Sequence, residues 1–182
     1  MIDLDALDAE SGNVHAVIDT PKGSHNKYKY DEKLDLLRLE KTLPLGHVFP
    51  FNFGYVPSTR GEDGDPMDIL VLMEEPAFPG CLVMARLIGV IEAGQVEEQK
   101  TMRNDRLIGV ATVSRPHSDV KTLSDLNESL VHEIEHFFVS YNQIKGKKFR
   151  PLTRSGPVRA RELVEEGMKQ FRRSKRKRAR SK

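Results

Sequence analysis

In the N-terminal part of the chain, apolar residues come in short bursts separated by turn formers. Val14 to Ile18 reads as a strand, stopped by Thr20-Pro21-Lys22-Gly23. Tyr28 to Tyr30 and Leu34 to Leu39 read as two more, around a turn at Asp31-Glu32-Lys33. Pro44, Gly46 and Pro50 break up the next stretch. The segment FPFNFGYVPST, residues 49–59, predicts extended structure and loop. GEDGDPMD, residues 61–68, is a turn-rich acidic loop that runs into the continuous apolar stretch Ile69 to Met73, suited to a buried strand. Cys81 to Ile91 and Leu107 to Val113 complete the strands, with residues 94–105 read as a polar loop between them.

After that the period changes. Leu130, Ile134, Phe137, Phe138, Tyr141 and Ile144 recur at helical spacing and predict a helix from about Leu126 to Ile144, capped by Ser124 or Asp125. A second helix is expected to start near Pro157, with Val158, Arg161, Val164, Met168 and Phe171 on one face. Short strands followed by two helices, without βαβα alternation, predict an α+β fold: a small barrel or curled sheet with the helices packed on it.

Charge divides the chain into regions. Residues 169–182 carry nine Lys and Arg and no acid. Of the 29 Lys and Arg, 20 then remain against 27 Asp and Glu, a net of −7 over residues 1–168. An acidic body suits divalent cations better than nucleic acid. The basic tail is expected to be a disordered, solvated extension, with binding of RNA, anionic lipid or another polyanion as its alternative. Residues 1–12 are polar and acidic and are expected to be mobile. Residues 13–168 are then expected to form a single domain. The first residues hold no apolar core of a secretory signal, and the longest apolar run falls far short of the ~20 residues that span a bilayer. With one cysteine, Cys81, no intrachain disulfide can form. The expectation is a cytoplasmic protein with no membrane partner.

The acidic loop carries the chemistry. Asp63-Gly64-Asp65-Pro66-Met67-Asp68 places three carboxylates within six residues. Gly64 lets the backbone turn, and Pro66 fixes φ between two of the acids. Three like charges so close repel one another unless a cation sits among them. Oxygen donors with no adjacent His or Cys point to Mg²⁺, or Mn²⁺, rather than Zn²⁺.

GDPMDILVL, with Asp63 two residues before Asp65, resembles the signature of the family I soluble inorganic pyrophosphatases. Lys27-Tyr28, FPFNFGYVPST, Pro79-Gly80, Leu87-Ile88-Gly89-Val90 and HFFVSY match that family's segments in the same order. The resemblance implies a five-stranded OB-like barrel, hydrolysis of pyrophosphate with Mg²⁺, and a homohexamer. It also implies roles. Asp63 and Asp68 would be metal ligands, and Asp65 would ligate metal and orient or deprotonate the attacking water. Lys27, Arg106 and the Tyr141 hydroxyl would bind phosphate oxygens. Lys41 falls by counting where the family has a phosphate-binding Arg.

The chain also departs from that pattern. Asp19 stands for the family's early Glu ligand, and Lys29 replaces a Glu, a charge reversal. Phe49 and Phe53 replace two tyrosines, and Asn142 replaces a Lys. Where the family has Asp-x-Lys after an Asp-Glu pair, this chain has Asn104-Asp105-Arg106 after Glu97 and Glu98. In a strand Asn104 shares a face with Arg106, and Asp105 points away unless a bulge brings it round. Asp19, Glu98, Asn104 and Asp105 are thus further metal-ligand candidates. The departures leave open an enzyme for another phosphoanhydride, or a protein that keeps the fold with attenuated activity and binds polyanions. The surviving triplet and its basic partners favour pyrophosphate hydrolysis.

Two other motifs compete. His132-Glu133-Ile134-Glu135-His136 matches the zincin pattern H-E-x-x-H, but both histidines fall opposite the helix's apolar face, so surface histidines are expected. Asp63 to Glu74 has the length of an EF-hand loop, but Asp68 stands where that loop needs Gly.

Overall fold

The computed structural model describes residues 4–31, 34–97, 100–144 and 146–180. Its strands are Val14–Thr20 (β1), Asn26–Asp31 (β2), Leu36–Thr42 (β3), Asn52–Val56 (β4), Met67–Leu72 (β5), Leu82–Glu97 (β6), Lys100–Arg103 (β7), Arg106–Ala111 (β8) and Lys148–Ser155 (β9). Its helices are Glu128–Gln143 (α1) and Pro157–Arg180 (α2).

β1 pairs antiparallel with both β4 and β6, β4 with β5, and β6 with β8, while β5 and β8 run parallel. The pairings close a ring in the order β1-β4-β5-β8-β6. This is the α+β, five-stranded OB-like barrel with two C-terminal helices that the resemblance implies. Closure leaves the barrel strands no open edge. β1 and β4 approach so closely that a Cβ at Gly54 would lie 2.0 Å from the Val17 carbonyl oxygen. A side chain there has no room.

β5 shows why the run after the acidic loop is continuously apolar. Successive side chains face opposite sides of a strand. Ile69 and Val71 join Val14, Ala16, Ala85 and Leu107 in a core supplied by all five strands, the barrel interior, where Ala160, Leu163 and Val164 of α2 also pack. Leu70 and Leu72 join a second core with Phe53, Ile108 and Val110, under Ile134, Phe138 and Tyr141 of α1. Both faces are buried, so alternation vanishes.

The structure corrects several expectations. Residues 94–105 are not simply a loop: β6 runs on to Glu97, and β7 returns antiparallel beside it. β9 has no counterpart among the predicted strands. It pairs with β6, with a register shift opposite Glu92 and Ala93, beside Pro151. A proline can sit in such a strand because the bulge spares the ladder a missing N–H. The cap of α1 is Asn127, whose side chain accepts from the Ser129 N–H, while Ser124 and Asp125 lie in a preceding 3₁₀ turn. Within residues 4–12, Ala6 is fully buried and Leu7 bridges to Val14. Residues 169–180, read from composition as disordered, continue α2. Lys, Arg, Ala and Gln are good helix formers once a helix has been nucleated. Among the described residues no helix is long and apolar enough to cross a membrane.

Candidate active site

The acidic loop is held by its own backbone. Gly64 sits at φ +88°, the Gly61 N–H donates to the Asp65 carbonyl at 2.8 Å, and the Asp65 N–H donates to Asp63 Oδ1 at 3.1 Å. The Met67 N–H donates to Thr59 Oγ1 at 3.0 Å and so ties the loop to the strand it enters. Asp63, Asp65 and Asp68 thereby face one cavity of ≈ 440 Å³. β1 brings Asp19 to it, β2 brings Lys27 and Lys29, β8 brings Arg106, and α1 brings Tyr141.

Three of the carboxylates in this cavity are matched with cations. Asp19 Oδ1 lies 2.6 Å from Lys27 Nζ, and both side chains are buried. The Thr20 hydroxyl also donates to Asp19, and the Lys27 ammonium stands 4.5 Å from the Phe53 ring centroid. Asp68 Oδ2 is 2.7 Å from Arg106 Nη1. The Arg106 guanidinium is almost fully buried, 5.1 Å from the Phe138 ring and 5.3 Å from the Phe149 ring. Asp65 Oδ2 is 2.7 Å from Lys29 Nζ, and here both partners are about half exposed.

Burial raises the carboxyl pKa of Asp19 above its ordinary value, although Lys27 opposes it. Burial also raises Asp63, helped by the negative charges of Asp68 and Asp65 and opposed by the Asp65 N–H. Burial pushes the Tyr141 phenol far up, as do the carboxylates of Glu40 and Asp68. Burial works against the Lys29 charge, but the hydrogen bond and charge of Asp65, with Glu40 and Asp68 nearby, outweigh it and raise its pKa.

The strand alternation around Asn104 holds. Asn104 lines the cavity, accepts from Arg106 and donates to Gln95 Oε1 at 2.7 Å. Asp105 turns away: its carboxylate takes two hydrogen bonds from Arg103 Nη2, at 3.0 and 2.9 Å, and one from the Ala93 N–H. Asp105 does not line this cavity and belongs to a neighbouring network, in which its carboxylate already accepts three hydrogen bonds. Glu98 lies outside the described residues, as does the side chain of Glu97. Lys41 does not line the cavity; its ammonium sits 4.1 Å from the Tyr141 ring centroid. His132 and His136 are exposed on α1, and His132 sits between Glu128 at 3.0 Å and Glu135 at 3.9 Å.

Six lining residues were not offered as site residues by the sequence reading: Tyr30, Glu40, Tyr55, Gln95, Met102 and Lys147. Glu40 was visible as the acid beside Lys41. Lys147 belongs to the Lys-Gly-Lys-Lys run after α1. It supplies a cavity lysine where Asn142, on the helix, instead donates to the Phe138 carbonyl.

The donors suit a hard divalent ion such as Mg²⁺. Oxygen donors come from one rigid loop and from Asp19, and the mutual repulsion felt at Asp63 is what a cation there would relieve. Among the described residues no three His, Cys, Asp or Glu groups already converge as a cation cage. Lys29 and Arg106 hold two of the acids.

A family model described as inorganic pyrophosphatase matches residues 16–172. The inorganic pyrophosphatase of Geobacillus stearothermophilus is 35% identical over 157 residues, covering 86% of this chain and 93% of that one. That of Thermus thermophilus is 37% identical over 135 residues, covering 74% and 75%. The crystal structure of inorganic pyrophosphatase from Thermus thermophilus superposes with a TM-score of 0.84 at 32% identity, covering 93% of this chain and 97% of that one. With its barrel, its acidic loop and these relatives in agreement over most of its length, the chain belongs to the inorganic pyrophosphatase family.

Proposed function

We propose that this chain hydrolyses inorganic pyrophosphate to two phosphates, with Mg²⁺ bound by Asp63, Asp65 and Asp68. One observation carries the reading. The rigid acidic loop and the cations Lys27, Lys29 and Arg106 face the same ≈ 440 Å³ cavity. Metal-binding oxygens and anion-binding nitrogens are both needed for a multiply charged phosphoanhydride.

Each residue then has a task. Asp65 is the half-exposed carboxylate of the loop. It can reach solvent, orient the attacking water and take its proton. Arg106 and Lys27 are held rigidly by Asp68 and Asp19 and by aromatic rings. They offer fixed donors to phosphate oxygens without reorganisation. The Tyr141 phenol stays protonated over the working pH range, so its hydroxyl can donate to phosphate. Lys41 acts through that tyrosine: its ammonium packs on the ring and steadies it. Asp19 and Asn104 add further oxygen donors to the cavity. Bound Mg²⁺ would neutralise phosphate charge and lower the pKa of the attacking water.

A second reading, a polyanion-binding protein with attenuated activity, draws on one observation: Asp19, Asp65 and Asp68 each already hold a cationic side chain. Phosphate release from pyrophosphate separates the two. The enzyme reading expects turnover of roughly 10–1,000 per second with Mg²⁺, abolished by EDTA. No release with Mg²⁺ or Mn²⁺ would overturn it and leave the second.

A further inference from the structure

β2 presents two lysines to one cavity, and they are held very differently. Lys27 is buried against Asp19 at 2.6 Å, over the Phe53 ring. Lys29, two residues on, reaches Asp65 Oδ2 at 2.7 Å from a half-exposed position, with 43% of its side chain exposed against 9% for Lys27. An ion pair open to water is weak and exchanges readily. A lysine carries its charge on a flexible four-carbon stem with three donors. A carboxylate holding an ammonium is also a poorer base and a poorer metal ligand than a bare one. The residue the chemistry asks most of is therefore masked by the more exposed of the two lysines of β2.

We propose that Lys29 is a substrate-responsive latch on Asp65. Without an anion in the cavity, Lys29 neutralises Asp65. When pyrophosphate enters, its oxygens outcompete the single carboxylate, the ammonium transfers to phosphate, and Asp65 is left to take the water's proton. This rests on the pyrophosphatase reading of the cavity and adds a consequence to it. Divalent-cation binding and anion binding become coupled through one side chain, and by linkage each strengthens the other. Lys29 is a positioning residue before substrate arrives and a substrate-binding residue afterwards.

The test titrates Mn²⁺ alone into the full-length protein, followed by electron paramagnetic resonance, for wild type, Lys29→Gln and Lys29→Arg. Removing a positive charge in contact with Asp65 is expected to tighten Mn²⁺ binding about tenfold in Lys29→Gln, with Lys29→Arg close to wild type. A non-hydrolysable P–N–P analogue of pyrophosphate should raise Mn²⁺ affinity in wild type, and by several-fold less in Lys29→Gln. KM for pyrophosphate should rise in Lys29→Gln more than kcat falls. Equal Mn²⁺ affinity in wild type and Lys29→Gln would overturn the latch even if the wild type hydrolyses pyrophosphate. Tighter Mn²⁺ binding in Lys29→Gln, with no hydrolysis by wild type, would overturn the enzymatic reading and leave the masking of Asp65 intact. Thermal unfolding of each variant checks that the half-exposed substitution leaves the fold in place.

Discussion

Asp63, Asp65 and Asp68 face an open cavity, whereas Glu92 on β6 and Asp105 just before β8 are enclosed by donors. Glu92 takes the Ser155 hydroxyl at 2.6 Å and Arg103 Nη2 at 2.5 Å, with Arg159 at 3.7 Å. Asp105 takes Arg103 and the Ala93 N–H. The electrostatic outcomes are opposite. The hydrogen bonds from Ser155 and Arg103 hold the Glu92 carboxyl below its ordinary pKa, while burial and neighbouring acids push Asp63 above its own. Two acidic clusters in one small fold can therefore be told apart by their partners. Where donors are plentiful, the acids tie strands together. Where acids crowd one another beside open space, the site is poised for a cation and an anion.

The largest effect that would break this comparison is in catalysis. Asp65→Asn keeps the shape of a half-exposed side chain but cannot accept the proton. Its turnover is expected to fall by roughly 10²–10⁴, measured by phosphate release, with little change in melting temperature.

The closed cluster should answer in stability instead. Glu92→Gln is expected to cost about 2 kcal/mol, the scale of a hydrogen bond to a charged group. Urea unfolding reads that loss. Turnover per folded molecule should be retained, since Glu92 does not line the cavity.

Acid should erase the difference between those two proteins. A carboxyl whose folded pKa lies below its unfolded value of ~4.3 stabilises fully above that value and loses its contribution as pH falls through the folded pKa. Melting temperatures of wild type and Glu92→Gln are therefore expected to differ at neutral pH and to converge below about pH 4. A gap that widens on acidification would contradict the assignment.

The smallest effect concerns the zinc-like motif. His132→Ala is expected to change stability by no more than about 0.5 kcal/mol, as surface substitutions do, and Zn²⁺ titration by calorimetry should show no heat lost with that histidine.

The barrel core and the acidic loop were legible because each has a strong local signal. Ile69 to Leu72 is apolar on both faces, α1 repeats its apolar residues at helical spacing, and Gly64 with Pro66 can only turn. The alternation that sets Asn104 apart from Asp105 was also in the sequence. The β6–β7 hairpin was not, because Gln95, Glu97, Lys100 and Thr101 lack an apolar alternation. β9 was hidden by Pro151 and by its charged residues, which suit a strand that pairs with β6 alone. Helical order in residues 169–180 is inherited from α2, so composition alone misleads there. Glu40 and Lys147 reach the cavity through the tertiary fold, which no local pattern encodes.

The central claim is that the open cluster performs the chemistry and the closed one does not. Phosphate release by wild type, Asp65→Asn and Asp105→Asn, measured side by side with Mg²⁺, tests it most directly. The account expects Asp65→Asn to lose at least about a hundredfold while Asp105→Asn, once corrected for folded protein, stays near wild type. Equal losses in both variants, or a greater loss in Asp105→Asn, would contradict it.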